Sequence, residues 1–253
     1  MLAAASAAQA AVAFVNVGLP AIGPELSHEF GLSLAELGAV LTASLFGSGL
    51  SLIAAGIVVD RFGARIPTLA GTALAATGLA VAATAGSAPV LFVALAVSGV
   101  GSAVVPVAGA GALFRVYEPG RRAWALGVRQ MSVPLGGTLA ALAMPGLEAA
   151  GGVELTLTVA AVAVAVTGVL FAFAAHETPT PRALRARRPF RSIWRAPGMQ
   201  RLFVVAAFYI VVLQAVLSFT VPAARAAGLP AFAAGGGHDC RRGWGDAKDA
   251  PQL

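Results

Sequence analysis

Gly56-Ile57-Val58-Val59-Asp60-Arg61-Phe62-Gly63-Ala64-Arg65 is where a long apolar run meets charge. Upstream, Leu34–Val59 carries one charged residue, Glu36, near its start. A helix of that length crosses roughly 30 Å of hydrocarbon. The ten residues then describe how a chain leaves a bilayer. Gly56 has no side chain, so another helix can approach its backbone. Asp60 falls at the membrane edge, where a carboxylate needs a cationic or helix-end partner. Arg61 and Arg65 are donors at the same edge, and Gly63 permits a tight turn into the next run. The plainer reading is a basic turn that only sets topology.

Similar runs recur on both sides. Seven spans are expected, at about Ala3–Gly23, Leu34–Val59, Ile66–Thr84, Pro89–Phe114, Trp124–Leu147, Val153–Ala175 and Leu202–Ala224. Unpaired backbone amides are not tolerated in lipid, so runs of this length are helices; barrel strands are shorter and alternate with polar residues. The fold class is therefore all-α, a polytopic membrane helical bundle. Composition agrees. Hydrophobic residues make up 58% of 253, charged residues 11%, and mean hydropathy is +0.83. A soluble domain carries about twice that charge. The net charge of +6 lies in short gaps, not along one helix face, which argues against nucleic-acid binding. The lone Cys240 rules out an intramolecular disulfide framework. Met1-Leu2-Ala3-Ala4-Ala5 has no basic n-region, and the run after it is too long for a signal sequence, so it reads as a retained helix.

The charges also orient the bundle. The gaps Asp60–Arg65, Arg115–Arg122 and His176–Arg201 hold twelve arginines; the alternate gaps Pro24–Ser33, Ala85–Ala88 and Glu148–Gly152 hold neither Lys nor Arg. By the positive-inside rule, the amino terminus is cytoplasmic. The expected location is the inner (plasma) membrane.

Pro179, Pro181, Pro189 and Pro197 punctuate the longest gap, which reads as a linker between helical units. Part of Pro189–Ala196 reads either as a short basic surface helix or as irregular loop. Residues 1–175 are expected to form an amino-terminal six-helix bundle and 176–201 a basic cytoplasmic linker. Residues 202–234 hold the first helix of an incomplete carboxy-terminal bundle, and 235–253 form a polar tail. The tail, GGGHDCRRGWGDAKDAPQL, carries six charges in 19 residues and breaks the apolar pattern. Truncation after about the seventh helix, or a shift of frame, is the expectation there.

The Gly56–Arg65 stretch resembles the loop signature of the major facilitator superfamily: Gly, three residues, then Asp-Arg-x-Gly-x-Arg. It also stands where that family carries it, after the second span on the cytoplasmic side. Gly18-Leu19-Pro20-Ala21-Ile22-Gly23-Pro24-Glu25-Leu26, followed by Phe30-Gly31-Leu32-Ser33, is similar to the way many members leave the first helix. The resemblance runs from about Ala10 to Gly228. It implies two facing six-helix bundles, each built from inverted repeats. It also makes Gly56, Asp60, Arg61, Gly63 and Arg65 a cytoplasmic gate. Two signatures depart from the family's pattern. The position four residues before Gly99 holds Leu95, where proton-coupled members have Arg. Val133-Pro134-Leu135-Gly136-Gly137 is one residue short of the antiporter motif and lacks its first Gly.

By the resemblance, helices one, four, five and seven line a central cavity. Polar groups there are Asn16, Arg129, Gln130, Tyr209 and Gln214, the candidates for a substrate path. Arg129 either meets an anionic substrate or snorkels to the interface. Asn16, Gln130 and Gln214 serve interhelical hydrogen bonds or substrate equally well. Tyr209 reads as packing or as a partner for one hydrogen bond. Gly99, Gly101, Gly109, Gly111, Gly136 and Gly137 read as close-packing positions, and Pro106 and Pro134 as kinks. His28, His176 and His238 do not make metal-ligand spacing with Cys240, and no Gly-rich phosphate loop opens a helix. No metal and no cofactor are expected, and no catalytic constellation is visible. The expected partners are membrane lipids, an unidentified small solute and a missing carboxy-terminal bundle. The function read from all this is secondary transport of a small solute by alternating access. The alternative is a non-transporting remnant or membrane scaffold that needs a partner.

Overall fold

A computed structural model of the chain describes residues 1–175, 198–205, 208, 209 and 212. The chain divides into two units, Met1–Arg185 and Ala186–Leu253. Among the described residues of the first unit the elements are helices and turns. The helices are α1 (Leu2–Gly18), α2 (Gly23–Phe30), α3 (Leu34–Phe62), α4 (Arg65–Ala83), α5 (Ala88–Ser102), α6 (Val104–Val116), α7 (Pro119–Gln130) and α8 (Ser132–Ala174). In the second unit residues 199–205 are helical. The rest of the seventh span, Gln214, the linker and the tail lie almost wholly outside the described residues.

Five helical runs are long and apolar enough to cross a membrane, and the last, Pro119–Ala174, has 56 residues. Drawn straight it would reach about 84 Å, far more than a bilayer needs. It breaks instead at Gly151 and Gly152, where Gly152 has φ 70° and ψ −168°. A side chain rarely adopts that backbone, so the pair of glycines lets the chain fold back. The first unit thus makes the six passes read from the sequence.

Three gaps differ from the sequence reading. Helix α3 runs on through Asp60 and Arg61 to Phe62, so the expected gap Asp60–Arg65 shrinks to Gly63 and Ala64. Pro24–Ser33 is mostly α2, not loop. His28 and Glu29 face out while Leu26 is fully buried. Glu148–Gly152 is mostly helical up to its glycine break. The entry to α3 is a capping box: Ser33 Oγ accepts from Glu36 N (3.3 Å) and Ser33 N donates to Glu36 Oε2 (2.9 Å).

Both proline expectations take a definite form. Pro106 has no N–H for the carbonyl of Ser102, and Pro134 none for that of Gln130. Each helix is interrupted three residues before its proline, at Ala103 and Met131. Both residues keep right-handed backbone angles, so α5–α6 and α7–α8 continue as single passes. Ser102 Oγ donates to Gly99 O (3.0 Å), and Ser132 Oγ to Arg129 O.

Small residues set the crossings. A Cβ added at Gly47 would overlap the Ala96 carbonyl oxygen, and one at Gly99 that of Ser44, so α3 and α5 touch backbone to backbone. Gly71 and Gly101 do the same between α4 and the α5–α6 pass. Gly136 and Gly137 press the start of α8 onto Ala10 and Val17 of α1. Gly111 is a correction: among the described residues its near neighbour is Arg115 of its own helix, and no second described helix packs there. Large apolar side chains remain exposed, among them Leu50 at 71% and Leu142 at 75%. Water would penalise such a surface, whereas lipid is its natural solvent.

Candidate functional site

The ends of α3, α6 and α8 and the starts of α4 and α7 share one end of the bundle, because successive passes alternate direction. Gly63 (φ 83°, ψ −172°) makes the turn from α3 to α4 in a backbone region that favours glycine. Its N–H still reaches Val59 O at 2.9 Å, so the helix closes without a side-chain cap. Arginines decorate this end and lie on aromatic rings. Arg61 stands 5.3 Å from the Phe62 centroid, Arg65 5.0 Å from that of Phe173, and Arg122 5.5 Å from that of Phe114. The Arg65–Phe173 contact ties α4 to the end of α8. Arg122 also donates through Nε to Tyr117 O at 3.0 Å, while the Tyr117 and Trp124 rings meet at 6.4 Å.

Two groups of the signature are unpartnered among the described residues. Asp60 is exposed and has no ion-pair or hydrogen-bond partner among the described residues. It stands in the last turn of α3, three residues before the bend at Gly63. Nothing lies within 4 Å of a Cβ added at Gly56, so no helix of this unit uses the close approach that Gly56 permits.

Deeper in the bundle, Arg129 and Asn16 are held by side-chain hydrogen bonds. Arg129 is only 7% exposed. Its Nη1 donates to Gln9 Oε1 of α1 at 2.6 Å, and its Nε is buried without a partner. A Cβ at Gly109 of α6 would stand 3.1 Å from Nη1, so glycine makes the room the guanidinium occupies. The side chain does not snorkel; it lies between α1 and α6. Asn16 Oδ1 accepts from Ser44 Oγ of α3 at 2.9 Å, the interhelical role read as one of its two options. Gln130 is exposed and makes no interhelical hydrogen bond among the described residues. Tyr209, in the second unit, is 64% exposed. Gln9 was missed. It stands one heptad before Asn16 on the same face of α1, and that spacing was its only signal.

At the opposite end Pro24, Glu25, His28, Glu29 and Glu148 line a polar depression, with Glu25 Oε2 buried and unpartnered. Among the described residues no group of His, Cys, Asp or Glu is placed to hold a metal ion.

A family model described as the Major Facilitator Superfamily matches residues 5–237. The chain belongs to that superfamily. It is a multi-pass membrane protein, as the apolar passes require. Several solved members of similar fold are known. One is the peptide transporter POT in complex with sulfate, with 20% identity and a TM-score of 0.61 over 87% of this chain and 46% of that one. Another is the inward open xylose transporter XylE from E. coli, with 14% identity and a TM-score of 0.63 over 86% and 56%. Tetrameric PepTSo2 matches at 21% identity and a TM-score of 0.56 over 89% and 52%. At these identities the likeness is one of fold. The chain spans about half the length of each of them. No curated protein matches it.

Proposed function

We propose that the chain forms half of a secondary transporter, moving a small solute by alternating access against a second bundle. Its amino terminus lies in the cytoplasm, in the plasma membrane, and the arginine-rich end faces inward. Residues 1–175 are one bundle, 176–201 the linker, and 202–234 the opening helix of the second. The carrying observation is the pairing of family membership with a signature whose Asp60 and Gly56 have no partner among the described residues. Asp60 has no counter-charge there and Gly56 no helix against it, which is what a latch awaiting a second bundle looks like. Asp60, Arg61 and Arg65 close the cytoplasmic side, with Gly56 and Gly63 giving the approach and the turn. Gln9, Asn16, Arg129 and Gln130 belong to this half of the solute path, and Tyr209 and Gln214 to the other. The transported solute is the expected partner, with lipid around it.

The test is uptake into proteoliposomes of labelled sugars, peptides, amino acids and organic acids. The purified chain alone is expected to accumulate none beyond an Asp60→Asn control. Joined to a carboxy-terminal bundle encoded beyond the codon for Ala234, it is expected to accumulate at least one, and Asp60→Asn to abolish that. Absence of such a coding frame, or no uptake by the joined form, would give way to the scaffold reading.

A further inference from the structure

Among the described residues, the membrane interior of the first unit holds one charge that nothing balances. Seven acidic residues of that unit are described, Glu25, Glu29, Glu36, Asp60, Glu118, Glu148 and Glu154, and all sit at helix ends or beside the Gly151–Gly152 break. None pairs with Arg129. The guanidinium has five N–H donors, and the structure gives it one neutral acceptor, Gln9 Oε1. The hydroxyl closest in sequence, that of Ser132, is spent on the Arg129 carbonyl instead. Arg129 Nη2 and Gln9 Nε2 have no hydrogen-bond partner among the described residues, and neither is sealed from the surface. The Arg129–Gln9 bond links the two side chains that carry these donors. Gly109 keeps the space at Nη1 open.

The backbone around the charge points the same way. Arg129 lies two residues before the interruption at Met131, and Gly109 three residues after Pro106, so both broken passes meet at the guanidinium. Irregular backbone at membrane depth is tolerated where it is buried in protein or lines a cavity, and interrupted helices mark the binding sites of carriers. A cation kept in place by a neutral amide, with donors to spare and no counter-ion, is a receptor for an anion with paired oxygens.

We propose that Arg129, with the Gln9 amide, binds a carboxylate or phosphoryl group, and that the solute moved by this carrier is a small organic anion. The inference rests on the transporter reading above and narrows it.

The experiment uses the purified full chain in dodecyl maltoside. Its unfolding midpoint is followed on titration with sodium sulfate, inorganic phosphate and succinate, against sodium chloride at matched ionic strength. A ligand that binds only the folded state raises the midpoint saturably. At least one oxyanion is expected to do so. Arg129→Lys should weaken the effect at least tenfold, since an ammonium cannot present the fork, and Arg129→Gln should abolish it. If Arg129→Gln does not fold, Gly109→Ala serves in its place. It keeps the charge, crowds Nη1, and is expected to weaken the oxyanion effect without changing the response to chloride. A parallel arm adds phosphatidylglycerol to the micelles. No oxyanion effect beyond chloride, an effect unchanged in Arg129→Gln or Gly109→Ala, or an effect confined to the lipid arm would each overturn the proposal. Saturable uptake of an uncharged solute by the joined form, with no oxyanion effect, would overturn this inference alone and leave the transporter reading standing.

Discussion

Gly47 and Gly49 lie two residues apart on α3, and alanine is expected to act in opposite directions at the two. Beyond the overlap with the Ala96 carbonyl oxygen, a methyl at Gly47 would stand 2.9 Å from the Ala96 carbonyl carbon and 3.2 Å from its Cα, against 3.4–4 Å in ordinary contact. The obstacle is backbone, which cannot rotate aside, so α3 and α5 must part by about half an ångström or more. Overpacking of this kind costs about 1–3 kcal/mol. The same crossing holds Gly99 against Ser44 and the Ser51 Oγ hydrogen bond to Val100 O at 3.3 Å, so the shift is not local. Against this, replacing a helical Gly by Ala gains about 1 kcal/mol of propensity. Because the obstacle is backbone, the upper end of that cost applies, and the net for Gly47→Ala is a loss of about 2 kcal/mol. Nothing lies within 4 Å of a Cβ at Gly49, so Gly49→Ala keeps only the gain. At about 2–4 °C per kcal/mol for a chain of this size, the two variants should melt on opposite sides of the wild type. Helical circular dichroism of the full chain in detergent reads the difference. Equal midpoints, or a more stable Gly47→Ala, would refute the close α3–α5 crossing.

Other perturbations test separate parts of the bundle. Gly63→Ala forces a side chain into the φ 83° turn and should cost about 1–3 kcal/mol, while Gly56→Ala, with open space around it on the same helix as Gly49, should stabilise this chain by about 1 kcal/mol. Gln9→Leu removes the one acceptor that Arg129 has among the described residues and should cost about 2–3 kcal/mol; adding Arg129→Leu should recover part of it, and a simple sum of the two losses would speak against the pairing. With Cys240 replaced by Ser, an impermeant thiol reagent on intact cells should label Ser87→Cys and spare Glu118→Cys, and the reverse would invert the proposed topology.

What the sequence discloses here depends on the range of the interaction. The α3 entry was fully local, because Ser33 and Glu36 carry both halves of their cap within one turn. Pass count and alternation were nearly local, since each apolar run reports its own length and each gap its own charge. Helix α2 escaped because its Pro24, Glu25, Ser27 and His28 read as loop chemistry; only the burial of Leu26 against the core makes it a helix. The site was less legible than the fold. Arg129 stands out as a charge in an apolar run, yet its direction is fixed by Gln9, 120 residues away, and by the missing side chain of Gly109. Neither is visible until α1, α6 and α7 are brought together. Gly56 shows the converse: its freedom to be approached is local, but whether a helix approaches is not.

The crossings divide the bundle into a frame and a movable part. Where α3 and α4 meet α5, backbone rests on backbone at Gly47, Gly71, Gly78 and Gly99, and contacts this short leave no slack. Beside Ala103 and Met131 the ladders are interrupted, and the contacts around Arg129 are made by side chains, with Gly109 against Arg129 and Arg129 against Gln9, although Gly136 still rests on the Ala10 backbone. A side chain can follow a shifting helix through rotation; two backbones in van der Waals contact cannot. The balance between rigid and yielding contacts therefore tilts at the depth of Arg129. If an anion binds there, its charge is shared by α1, α6 and α7, and the three are drawn together against a frame that does not move. A neutral solute at the same place would leave the guanidinium unbalanced and the three helices no more tightly held than they are now. The buried arginine thus favours a cargo whose charge completes the bundle, and the loosened ladders beside it supply the freedom such a step requires.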